Sequence, residues 1–158
     1  MGKHSGLEIC KVLVDRVDVI DDVTARAGEV DFRTLENLQT TLNDDAYYAI
    51  FSPEENTRRV KDRRVAAQEE RPIVMLTLVG SMVHEQDMND VSVLEQFLEK
   101  LDDIHHAIFG TTIDLPAPFG RASWPVESVE VPSDEQLSQL SLRIRQLQYP
   151  FHVTRSGS

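Results

Sequence analysis

The sequence has few of the residues on which several common functions depend. Cys10 is the only cysteine among 158 residues, which excludes an internal disulfide and a metal site built from several thiolates. No apolar run approaches the ~20 residues of a membrane-spanning helix, and no apolar segment near Met1 indicates a secretory signal. The seven glycines are scattered, so neither GxGxxG nor the GxxxxGK phosphate-binding loop occurs. We therefore expect no bound nucleotide cofactor and no membrane partner.

Positive charge is also scarce. Lysine and arginine total 16 against 27 aspartates and glutamates, which gives a formal net charge of −11. A protein that binds nucleic acid without sequence specificity is usually basic, so this role is disfavoured. The apolar fraction of 41% is ordinary for a globular chain that can bury a core without disulfides. We predict a single domain over residues 1–153 and a disordered tail over 154–158.

The hydrophobic patterning predicts an α/β domain of the α+β type, with a mainly antiparallel sheet packed against two or three helices. Residues 72–83 are apolar at nearly every position, which indicates a central strand covered on both faces. The other predicted elements are helices at 7–20, 31–42 and 88–109, a strand at 46–51 and a short edge strand at 126–131. In the third helix, Leu94, Leu98 and Leu101 are expected to pack on the sheet.

Three segments give weaker patterns. Residues 54–71 are mostly polar and predict a long loop or the exposed tip of a hairpin. Residues 111–125 contain three prolines, which predicts an extended crossing loop. Residues 137–151 fit either a helix or a strand with a bulge near Gln146. We favour the bulged strand, because the sheet otherwise has too few members.

Residues able to carry out chemistry are not assembled into a recognisable motif. The nucleophile motif GxSxG is absent, and Cys10 on the apolar side of the first helix is interpreted as a buried hydrophobic residue. Glu99, Asp102 and His106 share one side of a helix, but a metal site would need ligands from further elements. We therefore predict no catalytic residue, no metal ligand and no enzymatic activity.

A basic cluster is the main anomaly in the charge distribution. Five cations fall within seven residues, namely Arg58, Arg59, Lys61, Arg63 and Arg64. Flanking glutamates could neutralise them locally. Alternatively, the cluster is an interaction loop for acidic surfaces of a partner or of a second copy, such as Asp18, Asp21 and Asp22. Binding to DNA phosphates is disfavoured by the negative surroundings. Trp124 is a further candidate contact, or it pins its loop to the core.

Several segments occur in an order known from one family. They are Glu29-Val30-Asp31-Phe32-Arg33-Thr34-Leu35-Glu36, an apolar strand at 47–51 that ends in Pro53, the arginine-bearing stretch, the central strand at 73–79, the helix at 91–109 and the aromatic strand Gln148-Tyr149-Pro150-Phe151. Over residues 29–151 this pattern resembles the tail-completion proteins of long-tailed bacteriophages, which include the tail terminators.

The resemblance implies a structural protein without catalytic residues or cofactors. Members of this family form a ring, commonly a hexamer, on the end of the tail tube. The ring stops tube growth and presents a surface to the head-side connector, while DNA only passes through it. The implied location is the virion, after assembly in the host cytoplasm. A head–tail connector or neck adaptor, and a small non-viral binding or regulatory domain, remain alternatives.

Overall fold

The computed structural model describes residues 4–41, 47–54, 58–60, 69–82, 91–109, 112–116, 119–123, 128–131 and 142–155. Within these ranges the helices are α1 (Ser5–Val17), α2 (Phe32–Thr41) and α3 (Val91–Ile108). The strands are β1 (Val23–Ala27), β2 (Tyr47–Pro53), β3 (Arg58–Val60), β4 (Glu69–Arg71), β5 (Ile73–Met82), β6 (Ile113–Asp114), β7 (Phe119–Ser123), β8 (Val129–Val131), β9 (Leu142–Pro150) and β10 (His152–Arg155).

The strands form two sheets of five. The first has the order β1-β2-β5-β9-β8, in which β1 and β2 are parallel and the other neighbours are antiparallel. The second has the order β3-β4-β10-β7-β6 and its pairs are antiparallel. The predicted α+β class with a mainly antiparallel sheet is confirmed, as are the central place of β5 and the edge position of β8.

Local hydrogen bonds explain where the first two helices begin. His4 Nδ1 accepts a hydrogen bond from the backbone N–H of Leu7 at 3.3 Å, which caps α1. Asp31 Oδ1 accepts from the backbone N–H of Thr34 at 2.7 Å in front of α2. The Thr34 hydroxyl also donates to Asp31 Oδ1 at 2.7 Å. This bond and the backbone bond from Thr34 hold the pKa of Asp31 below its ordinary value. The helix α2 then connects the parallel strands β1 and β2.

One continuous core joins both sheets to α1 and α3. The first sheet contributes Phe51, Leu76 and Tyr149, and the second sheet contributes Ala122 and Val153. The helices contribute two further sets of buried residues, which are Ile9, Cys10, Leu13 and Val17 from α1 and Phe97, Leu101, Ile104 and Ile108 from α3. The first sheet is also covered on its other face, where Leu35 of α2, Ile50 and Val79 are buried outside this cluster.

The orientation of α3 corrects one expectation. Leu101 is buried as predicted, but Leu94 is 36% exposed and Leu98 is 41% exposed. The helix instead presents Phe97 to β5, where Gly80 allows a close approach. A Cβ atom at Gly80 would lie 2.7 Å from Cδ2 of Phe97. The prediction that Leu94 and Leu98 pack on the sheet is therefore wrong.

The structure confirms that the 137–151 region contains a strand, β9, but it places the bulge elsewhere. Gln146 pairs with Thr77 in unbroken register, whereas the register shifts between Val79 and Met82 on β5. Leu147 and Tyr149 are buried in the core, whereas Ile144 pairs with Val79 on the opposite face. Near Gln146 the apolar residues change from even to odd positions because both faces of the sheet carry apolar residues. No bulge in β9 is needed to explain this change.

Two further expectations are corrected by strand pairing. The proline-containing segment 111–125 was expected to be a loop, but it contributes β6 and β7 to the second sheet. The tail was expected to begin at residue 154, but Thr154 pairs with Glu69 and Arg155 pairs with Phe119 in β10. Residues 156–158 lie outside the described ranges. In the described part of the chain, no helix has the length and apolar character needed to cross a membrane.

Candidate interaction surfaces

The predicted basic cluster begins on a hairpin at the edge of the second sheet. Arg58 and Arg59 lie in β3, which pairs with β4 and has no second neighbour in the sheet order. Lys61, Arg63, Arg64 and Trp124 lie outside the described residues. The structure therefore supports a hairpin for the 54–71 region and places its arginine-bearing strand at a sheet edge.

The register of this hairpin pairs charges unequally. Arg59 lies directly opposite Glu70, a favourable arrangement, but Arg58 lies directly opposite Arg71. Like charges that face each other across two strands destabilise the pair. The register alone therefore gives this hairpin one favourable and one unfavourable charge pair. An acidic group from outside the hairpin would relieve this repulsion.

More cationic residues lie on the outer face of the second sheet. Val153 and Ala122 pair with each other and are buried, so their neighbours along the strands alternate to the outside. Arg71 and Arg121 are exposed there, and Arg121 Nε forms an ion pair with Asp114 Oδ1 at 3.0 Å. Sequence reasoning missed Arg71 and Arg121, because their shared face becomes visible only when the strand pairing is known.

The acidic turn after α1 has a structural role of its own. Asp18 Oδ1 accepts a hydrogen bond from the backbone N–H of Ala25 at 3.1 Å. The carbonyl oxygen of Asp21 accepts one from Lys100 Nζ at 2.8 Å, which ties the turn to α3. Asp22 has a φ of 64°, a left-handed conformation that aspartate tolerates better than most residues. All three aspartates are exposed, so they remain a candidate surface for cations.

A second acidic surface runs along α3 beside exposed apolar residues. Val91, Leu94 and Leu98 are 65%, 36% and 41% exposed, and their spacing of three and four places them on one flank. We call these three residues the α3 stripe. Exposed carboxylates border it at Glu95, Glu99 and Asp102, which we call the acidic rim. The sequence pattern did not separate this flank from the buried side of the helix.

At the other end of α3, a histidine and a tyrosine form a hydrogen bond. Tyr149 Oη contacts His105 Nδ1, and both rings pack beside Phe109. Burial raises the pKa of Tyr149, so its hydroxyl keeps the proton that it donates. Burial lowers the pKa of His105, while Asp102 opposes this shift and His106 adds to it. The pair joins α3 to β9 through neutral groups.

The remaining reactive groups form no site within the described residues. Glu99, Asp102 and His106 are exposed along α3, and no cluster of three possible metal ligands occurs in the ranges described above. Cys10 is fully buried, and its burial raises the pKa of the thiol to about 12. A thiol with this pKa is a poor nucleophile at neutral pH.

Comparison with known proteins adds no family assignment. No protein-family model matches the chain, and no curated protein is significantly similar to it in sequence.

Proposed function

We propose that this protein is a structural component of a bacteriophage virion. In this proposal, copies of the protein form a hexameric ring on the end of the tail tube. The ring ends tube growth and joins the tail to the head-side connector. DNA passes through the ring, and the protein has no enzymatic role. The proposal rests on the order of segments over residues 29–151 and on the charge distribution of the folded chain.

The observation that carries the proposal is the presence of two surfaces of opposite charge on different elements. The β3–β4 hairpin and the outer face of the second sheet carry Arg58, Arg71 and Arg121. The exposed carboxylates of the α1–β1 turn and of α3 belong to the helices and the first sheet. A ring requires a head-to-tail interface in which one surface meets a different surface of the next copy. Two separate and complementary surfaces meet that requirement.

The first test is the assembly state of the purified protein. Light scattering at increasing protein concentration should show a species several times the mass of one chain, and negative-stain images should show closed rings with a central opening. A protein that stays monomeric in both measurements would contradict the proposal.

The second test separates the positions that a ring can occupy in a virion. The labelled protein is mixed in parallel with purified tail tubes and with DNA-filled heads. Binding to tube ends is expected for a tail terminator. Binding to heads alone would instead identify a neck adaptor. Binding to neither would favour a non-viral binding domain.

A further inference from the structure

The α3 stripe consists of apolar residues that the core does not use. The buried side of α3 is already supplied by Phe97, Leu101, Ile104 and Ile108, which belong to the core. A helix that lies on a single core normally carries polar residues on its remaining surface. Val91, Leu94 and Leu98 depart from that pattern along about two turns of helix. Exposed apolar residues grouped in this way are typical of a protein contact.

The acidic rim specifies the charge of what binds there. Glu95, Glu99 and Asp102 follow the stripe at spacings of four and three, so they line one side of it. No ion pair joins them to any residue that the structure describes. A partner segment that combines apolar side chains with neighbouring cations would satisfy both the stripe and the rim.

This chain contains a segment of that composition. Residues 58–65 read Arg-Arg-Val-Lys-Asp-Arg-Arg-Val and so set two valines among five cations. The segment begins on β3, at the edge of the second sheet, whereas α3 packs on the first sheet. The repulsive pairing of Arg58 with Arg71 also favours an acidic group from outside the hairpin.

We infer that the α3 stripe and its acidic rim are the docking site for the β3–β4 hairpin of a second copy of this chain. In this proposal the segment 58–65 of one copy supplies the apolar and cationic residues that the stripe and the rim of the next copy call for. The contact joins two different surfaces, so it repeats from copy to copy and forms a ring where the rotation between neighbours closes. This inference rests on the proposed self-assembly and specifies which surfaces meet.

Crosslinking between copies tests the contact directly. One preparation carries Leu98→Cys and a separately tagged preparation carries Val60→Cys, and the two are mixed with a short bismaleimide. Cys10 is fully buried and does not compete for the reagent. A crosslinked product that carries both tags is expected. The matched control pairs Val60→Cys with Lys11→Cys, because the Lys11 side chain is 59% exposed but lies on α1.

The outcomes separate the docking contact from assembly itself. A Leu98→Cys yield above that of the Lys11→Cys control supports the contact. Rings in light scattering with no excess of the Leu98 crosslink would overturn the contact and leave the proposed function standing. A protein that forms no assembly at all would overturn both.

A substitution in the stripe provides an independent measurement. Leu98→Lys removes the apolar side chain and places a cation where the cationic hairpin docks, so it should raise the protein concentration for half-assembly by about tenfold or more, as expected for a contact at an interface centre. Leu7→Lys is the matched control, because Leu7 is a leucine of similar exposure, 36%, on α1. Unchanged melting of both variants shows that they fold. Equal assembly of Leu98→Lys and the control would overturn the docking site.

Discussion

At the scale of single residues, His105 and Tyr149 couple the stability of the fold to pH. His105 is half-buried and neutral, since burial lowers its pKa and the Tyr149 hydroxyl donates to its Nδ1 atom. In the unfolded chain the same imidazole has the ordinary pKa of about 6.5. Protonation therefore favours the unfolded chain, and it also removes the acceptor that Tyr149 uses.

The expected result is a loss of stability on acidification. The contribution of His105 is present above about pH 6.5 and is lost as the pH falls from there through the lowered pKa of the folded state. One proton changes the free energy of unfolding by at most about 1.4 kcal/mol per pH unit, and the partial exposure of the ring makes the slope smaller. Urea unfolding measured from pH 7.5 down to pH 5 should show that His105→Gln flattens the slope.

The control for this measurement is a histidine one residue further along the helix. His106 is exposed on α3 and adds only a secondary charge effect to the pKa of His105, so His106→Gln should change the slope less than His105→Gln does. If His105→Gln and the parent lose stability in parallel, the pH response belongs to groups other than His105.

At the scale of elements, α3 shows how much of the fold periodicity can predict. The helix was predicted over 88–109 and extends over Val91–Ile108. Its orientation could not be predicted, because apolar residues cover more than one flank. At about 100° per residue, Leu98 lies far around the axis from Phe97, yet both fit an apolar stripe. The sheet selects Phe97, since Gly80 opens a space for its ring.

A pair of alanine substitutions measures this orientation. Ile104 is fully buried, so Ile104→Ala should lower the free energy of unfolding by about 2–5 kcal/mol. Leu98 is 41% exposed, so Leu98→Ala should cost about 1 kcal/mol or less. Chemical denaturation of the two variants gives both values. A larger loss for Leu98→Ala than for Ile104→Ala would mean that α3 presents its other flank to the sheet.

Strands that depend on distant partners were the elements that the sequence predicted least well. β7 has the sequence Phe-Gly-Arg-Ala-Ser, which contains no β-branched residue, and the nearby prolines favour a loop. It becomes a strand because β10 and β6 pair with it on either side. By contrast, the long apolar run of β5 indicates a central strand without knowledge of its partners.

At the scale of the whole molecule, the candidate surfaces were predicted only in part. The arginine run is visible in the sequence because its residues are consecutive. Arg71 and Arg121 share a face with each other only through the pairing of β4, β10 and β7. The α3 stripe could not be separated from the core before the helix had a known orientation. Local charge runs are thus predictable, whereas surfaces assembled from several elements require the fold.

The balance of charged and apolar contacts predicts how salt affects assembly. Raising the salt concentration from about 0.1 M to about 1 M shortens the Debye length from about 10 Å to about 3 Å. Exposed ion pairs contribute only ~0.2–1 kcal/mol each and are screened under these conditions, whereas contacts of the α3 stripe are not. The protein concentration for half-assembly of the parent should therefore rise at high salt, but the parent should still assemble.

Charge reversal on the hairpin should produce the opposite salt response. With Arg58, Arg59, Arg63 and Arg64 replaced by glutamate, the hairpin faces an acidic chain with four added negative charges, so repulsion should keep the protein monomeric at low salt. Added salt screens this repulsion, and the apolar contacts should then restore part of the assembly. Light scattering across the salt series distinguishes the two responses. A reversed variant that assembles like the parent at low salt would remove the hairpin from the interface, because a cationic surface that pairs with carboxylates cannot tolerate this change of sign.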